Sequence, residues 1–373
     1  MHVAVIGAGL GGLAAARMLR EGGATVTVYE RAGEPGGRAR SQTHAGATLN
    51  LGPHALYTAG AASRVLARLG VTPRGAAPPN AGLALRRGAL HALPATATSA
   101  VASTALALGE KLAVPGVLLG DPGDGTVADR LAGVPDGAAD LVRALVRVST
   151  YCNAPDAQAA RAALGQVRLA LRGVRYLDGG WQQLVDALAV PVEHADVAAL
   201  PDADAVVIAG SPALARRLGV DVPELLPVRA ACLDLVLDGL PRPDARFVLG
   251  LDAPLYLSEH GGIASLGGTV VHVARYLAPG EPGDAGSLEA LLDLAQPGWR
   301  ARVAFRRFLP ELVVTHRVDR PGERVAGEHR VGGRPVHLVG DWVGEEGMLL
   351  DRALASAARA ADALLRDAGR AAA

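Results

Sequence analysis

The stretch Val3-Ala4-Val5-Ile6-Gly7-Ala8-Gly9-Leu10-Gly11-Gly12-Leu13 decides how this chain is read. Val3 to Ile6 is a short apolar run, the pattern of a strand buried on both faces. A glycine-rich turn follows at once. Leu13 to Arg20, rich in Ala and Leu, reads as a helix closed by Gly22-Gly23. Thr25 to Glu30 is then a second, β-branched strand. Strand, tight turn, helix and parallel strand open a doubly wound sheet, so the expected class is α/β with a Rossmann-like domain. Gly7 permits the turn, Gly9 lets a pyrophosphate approach the backbone, and Gly12 lets the helix sit close to the strand. Gly11 lies in the same turn, where free N–H groups and the helix dipole favour phosphate. Glu30 ends the second strand, where a carboxylate can accept from ribose hydroxyls. This fingerprint predicts a dinucleotide site and does not choose between FAD and NAD.

Outward from this unit, Gly179-Gly180 opens a helix from Trp181 to Leu188, and Ala203 to Ala209 is a further buried strand. Pro335 to Val339 is another, followed by a helix from about Met348 to Leu365. Between them lie a hairpin over Ala84 to Leu93, a mainly helical stretch from Leu131 to Leu171, strand-like runs at Ala231 to Leu237, Arg246 to Leu251 and Thr269 to Arg275, and a helix from Leu288 to Arg302. Pro73 to Pro79 reads as a crossing between domains. The tail Ala368 to Ala373 is expected to fray. Ser99 to Leu119 is the most apolar region; it reads as core or as a lid, in preference to a surface helix touching lipid.

The chain has 373 residues and a formal net charge of zero. Roughly 150 residues per domain predicts two domains. Zero net charge argues against a nucleic-acid binder, which needs a basic excess. The two cysteines, Cys152 and Cys232, exclude a disulfide scaffold and fit a reducing, cytoplasmic location. No metal-ligand spacing is present: His316, His329 and His337 read as ordinary surface or strand residues. Aromatics make up 3%, so a planar ligand is expected to rest mostly on backbone and aliphatic groups. The N-terminal residues lack the pattern of a secretory signal, and no apolar run is long enough to span a membrane.

Two further segments choose the cofactor. After Glu30 come Arg31 to Pro35 and then Gly36-Gly37-Arg38. Far along the chain, Gly340-Asp341-Trp342-Val343-Gly344 precedes Gly347-Met348-Leu349 and an Ala-rich helix. Together they resemble the superfamily of FAD-dependent amine oxidases, protoporphyrinogen oxidases and carotenoid desaturases. Tyr176-Leu177-Asp178-Gly179-Gly180-Trp181 and Leu49-Asn50-Leu51-Gly52-Pro53-His54-Ala55-Leu56-Tyr57 look like the same family, and the phytoene-desaturase-like branch fits best. The resemblance implies noncovalent FAD in a discontinuous domain, residues 1–70, 170–230 and 325–373, with an α+β substrate domain over 71–169 and 231–324. It implies cofactor contacts from Gly7, Gly9, Gly11, Gly12, Glu30, Arg31, Gly37, Arg38, Gly52, Pro53, His54, Gly340, Asp341, Gly347, Met348 and Leu349, with Val197 on the adenine side. The helix start at Gly347 and Met348 would face the flavin. Only Ala189 to Asp204 stands where the family has a longer strand pair. The lone lysine, Lys111, lies outside every flavin motif.

With FAD bound, the protein has to place a C–H bond over the flavin and remove a neighbouring proton. His54, Tyr57, Arg40 and Trp342 are the candidates for the ring-facing wall, and His54 and Tyr57 for chemistry. His260, with Tyr256, is a loop candidate for substrate contact. The expected function is hydride removal from an apolar, polyene or isoprenoid substrate. The alternatives are an FAD oxidase of amines or porphyrinogen-like rings, and a redox-neutral isomerase. An oily substrate leaves room for peripheral membrane contact; the electron acceptor and the oligomeric state stay open.

Overall fold

Alternate residues of the first strand, His2–Ile6, enter different cores. Val3 and Val5 join Leu13, Leu19, Leu354 and Leu364 on one side. Ala4 and Ile6 join Val206, Ile208, Leu338 and Trp342 on the other. A strand loaded on both faces must lie inside a covered sheet. In the computed structural model, which describes residues 1–372, it pairs in parallel with Thr25–Glu30 and with Ala205–Ile208. The sheet has six strands, in the order Glu193–His194, Thr25–Glu30, His2–Ile6, Ala205–Ile208, Arg334–Leu338, Glu328–Val331. Only the last joins antiparallel. The helices Leu10–Glu21 and Leu349–Ala372 cover one face together. The short stretch from Ala189 to Asp204 contributes the two-residue edge strand Glu193–His194.

A second sheet has seven strands, in the order Val303–Thr315, Val228–Leu237, Thr269–Tyr276, Leu255–Glu259, Phe247–Gly250, Leu83–Arg86, Ala89–Ala92. Its strands also alternate. Ala231, Leu233, Leu235 and Leu237 meet Leu288, Leu291 and Leu292 of the helix Ala285–Ala295. Ala230, Cys232, Asp234 and Val236 face inward, toward the first sheet's loops. The helices Val127–Leu131, Asp136–Thr150 and Ala160–Ala170 form a separate cluster beside it.

Three expectations are corrected. The helix expected over Leu288 to Arg302 stops at Ala295. Pro297 cannot donate to it and Gly298 turns left-handed at φ +84°, leaving a separate 3-10 turn at Trp299–Arg302. The tail does not fray over its described part, since helix Leu349–Ala372 runs through Ala368; Ala373 lies outside the described residues. The apolar region Ser99 to Leu119 is core only in part: Ala105, Leu106, Val117 and Leu118 are buried, and other leucines are not. It forms helices Ala97–Ala102 and Leu108–Leu119, with Val101, Leu108, Leu112 and Leu119 exposed at 83%, 73%, 72% and 75%. Glu110 turns inward to Arg86 and to the Gly137 N–H, on the side where Val117 and Leu118 are also buried, and this leaves a row of leucines outside.

Candidate functional site

The turn Gly7–Gly12 is as tight as the sequence requires. A Cβ on Gly12 would lie 1.9 Å from the Gly7 carbonyl oxygen, and one on Gly7, at φ +105°, would meet the Ala209 carbonyl oxygen. Gly9 differs: a Cβ there meets nothing within 4 Å, because it would project into open space. That space is a cavity of about 770 Å³ bounded by Gly7, Gly9, Gly11 and Gly12. The helix Leu10–Glu21 has no side-chain cap and no acid in its first turn, so its N–H groups and dipole remain available to an anion. Gly36 donates to the Ala8 carbonyl at 2.7 Å, which lays Gly36-Gly37 against Gly9.

Glu30 accepts from the Ala8 and Ala32 N–H groups, both at 2.8 Å, one on each oxygen. Each oxygen keeps a lone pair for a ribose hydroxyl. Arg31 lines the cavity here, as does Val197, whose carbonyl is held by Arg217. At the waist, Arg38 donates to the Val314 carbonyl at 2.7 Å and pairs with Asp341 at 2.7 Å. His316 Nδ1 lies 3.0 Å from the other Asp341 oxygen. Burial alone would raise the Asp341 carboxyl, but Arg38 and His316 outweigh it and hold it well below the usual range.

At the far end the wall is formed by Leu51, Pro53, His54, Tyr57, Tyr151, Trp181, Cys232, Leu312 and Val313, with Leu349 and Asp351 from the C-terminal helix. His54 Nδ1 is 3.0 Å from the Gly52 carbonyl. Since a carbonyl can only accept, Nδ1 carries the proton and Nε2 is left as an acceptor with no partner among the described residues. Burial pushes the imidazole down to about 4, against the Gly52 bond, so it is neutral at ordinary pH. The Tyr57 hydroxyl donates to the Ser149 carbonyl at 2.7 Å, and burial pushes its pKa up; it holds the wall rather than a proton in transit. Tyr151 caps its helix at φ +60° and donates to the Pro53 carbonyl at 2.8 Å.

Most expected site residues therefore meet in one cavity, Arg40 and Gly340 among them. Several do not. Gly52, at φ +75°, faces away, where a Cβ would meet Cys232 Sγ and Leu312. Gly347 and Met348 stop behind the wall, and the helix presents Leu349, Leu350 and Asp351 instead. Trp342 is buried on the opposite face of the first sheet, donating to Gly210. His260 is buried against Tyr176, with ring centroids 3.8 Å apart, and does not reach the cavity. His329 and His337 are strand residues, as expected. Sequence reasoning missed His316, Tyr151, Asp351 and the inner strand wall. It also understated the aromatics, since Tyr57, Tyr151 and Trp181 all line this end.

FAD fits these residues on three counts. Gly9 is a cradle that a side chain would fill. The helix start is uncapped beside the cation Arg38. Trp181, on the wall, has a buried Nε1 donor with no partner among the described residues.

A family model described as an NAD(P)-binding Rossmann-like domain matches residues 5–69. No curated protein matches the chain. Among solved structures it is similar to an oxidoreductase from Methanosarcina mazei, at 17% identity and a TM-score of 0.73, over 97% of this chain and 100% of that one. It is similar to a protein described as a protoporphyrinogen oxidase from an Exiguobacterium species, at 16% identity and a TM-score of 0.70, over 98% and 99%. It is also similar to cyclohexylamine oxidase from Brevibacterium oxydans, at 18% identity and a TM-score of 0.65, over 97% and 99%. The chain thus shares its fold, over nearly its whole length, with these solved oxidoreductases, and its first 69 residues include the segment matched by the Rossmann-like model.

Two predictions follow from this geometry. Gly9→Val keeps an allowed backbone, φ −70° and ψ 172°, and should melt within a few degrees of the parent while losing FAD uptake. Gly12→Val should instead cost more than about 4 kcal/mol and fail to fold. Calorimetry with added FAD and thermal melts separate the two. Asp351 caps the neighbouring helix through the Ala62 N–H, but its other oxygen is buried without a partner among the described residues. Burial raises its carboxyl to about 6. A folded pKa above the unfolded one means stability gained as pH falls from about 6 to the unfolded value near 3.8. Relative to Asp351→Asn, the parent should therefore gain on the order of 2–3 kcal/mol across that window. A difference in melting temperature that does not change with pH contradicts it.

Proposed function

We propose that this protein is an FAD-dependent oxidoreductase that removes a hydride from a C–H bond of an apolar substrate, with a polyene or isoprenoid as the class, while the neighbouring proton goes to His54. The observation that carries this reading is that segments more than 300 residues apart, Gly7–Arg40 and Gly340–Ala353, line one continuous cavity. Its glycine-lined, cationic end suits a pyrophosphate; its other end is closed by aliphatic and aromatic groups.

FAD, when bound, supplies the two-electron acceptor. The helix start and Arg38 would hold its phosphates, Glu30 its adenosine ribose, and Asp341 the chain between. Leu312, Val313 and Cys232 exclude water and orient an oily chain against the wall. His54 is neutral, with Nε2 free to take a proton. Tyr151 and Tyr57 keep that wall in place through the Pro53 and Ser149 carbonyls.

A second reading, amine oxidation, is favoured by one observation: Tyr57, Tyr151 and Trp181 give this end aromatic walls. A membrane surface is the partner we assign to the exposed face of Leu108, Leu112 and Leu119, from which an oily substrate would reach the protein.

Acid precipitation of the purified protein should release yellow cofactor; colour kept in the pellet means a covalent link. Anaerobic mixing with a polyene should bleach the flavin. Bleaching by a primary amine alone transfers the assignment to the second reading, and polyene turnover without net bleaching makes the protein an isomerase. Phosphatidylglycerol vesicles should sediment the parent but not Leu108→Asp/Leu112→Asp, with FAD content equal in both; equal sedimentation removes the membrane assignment.

A further inference from the structure

One rung of the second sheet carries an unusual set of side chains. Arg307, Asp234, His272 and Ser258 are direct neighbours across four adjacent strands, all facing inward. Asp234 is fully buried. One of its oxygens lies 2.6 Å from His272 Nδ1, and the other takes Arg307 at 2.6 Å. A buried carboxylate needs such partners to stay ionised. Here the partners do not exhaust it: the oxygen facing Arg307 also accepts the Gly52 N–H at 3.2 Å. The carbonyl of that same Gly52 is the acceptor for His54 Nδ1. Asp234 and His54 therefore sit at opposite ends of one glycine residue.

Neighbouring backbone groups are held in the same way. Arg307 donates to the Asn50 carbonyl and Tyr151 to the Pro53 carbonyl. The left-handed backbone of Gly52, closed in by Cys232 and Leu312, leaves little freedom to turn its peptides. We propose that Asp234 is the positioning residue for His54: by anchoring Gly52 it keeps the Gly52 carbonyl on Nδ1, so that the Nε2 lone pair is presented to the cavity as proton acceptor. The inference rests on the role given to His54 above. It adds that the choice of protonated ring nitrogen in His54 is set from the second sheet. The charged and titratable groups around His54 include Asp234 and His272 from the second sheet, His260 from the loop after Leu255–Glu259, and Arg38 from the loop after Thr25–Glu30.

The test uses the full chain, FAD-loaded and labelled with 15N at histidine side chains, with no substrate present. His54→Gln identifies the His54 signals. The parent should show His54 as the neutral Nδ1–H form at pH 7, and Asp234→Asn should convert it to a mixture of both neutral forms. His272→Asn, which can still donate to Asp234, should leave it unchanged. An Nε2–H or doubly protonated His54 in the parent overturns the proposal, as does a parent-like His54 in Asp234→Asn. If Asp234→Asn does not fold, exchange of the Gly52 amide in the parent decides: protection well beyond that of exposed loop amides supports the anchor, and loop-like exchange overturns it. Flavin bleaching by a polyene is read separately, so a protein whose flavin stays oxidised on mixing fails the functional reading while the state of His54 is still measured.

Discussion

The pairing of Arg38 with Asp341 is the joint on which the site depends. Asp341 is buried, and a buried carboxylate without partners is strongly disfavoured. Its partners come from elsewhere: Arg38 from the loop after the second strand, and His316 from the end of the long strand Val303–Thr315. Arg38 also holds two carbonyls of that strand. Three distant segments are thus fastened at the waist of the cavity by the requirement that one negative charge be neutralised. The glycine turn can be formed by local forces alone, but the second half of the site cannot.

Residues whose position follows from local chemistry were legible in the sequence. The Gly7–Gly12 turn and Glu30 fall where the fingerprint puts them, because glycine conformation and strand alternation act over a few residues. What escaped reading is what the partner strand decides. The strand Val303–Thr315 carries Pro310, Arg306, Arg307 and Glu311, a composition that reads as loop until its pairing with Val228–Leu237 is known. Asp234 looks like an interruption in an apolar run, yet it occupies an inward position, and that placement was a signal available in the sequence. His316 showed no spacing to any partner because its partner is Asp341, in another segment. In Ser99 to Leu119 the interrupting charge suggests core or lid, and Arg86 does draw Glu110 inward, but only Leu106 and Leu118 follow it while Leu108, Leu112 and Leu119 stay exposed. The Gly-rich phrases at both ends pointed to the fold, but the turn at Gly347 and Met348 precedes the helix start without lining the cavity.

The two sheets divide the labour. The first supplies backbone: glycines, a helix start and strand ends, groups that recognise phosphate and ribose without large side chains. The second supplies side chains, presented from the inward positions of its strands. The segment Asn50–His54 lies between them and has little regular structure of its own; its geometry is imposed by Arg307, Asp234 and Tyr151.

The distance along the chain between Arg38 and Asp341 has a consequence for biosynthesis. At roughly 5–20 residues per second, a ribosome needs on the order of 15–60 seconds to travel from one to the other. Throughout that interval the nascent polypeptide exposes a phosphate-attracting turn whose opposite wall has not been made. A group held from both halves of the cavity can be enclosed only once both segments have been made, so its supply acts after Asp341 and the helix Leu349–Ala372 have emerged, and not on the early segments.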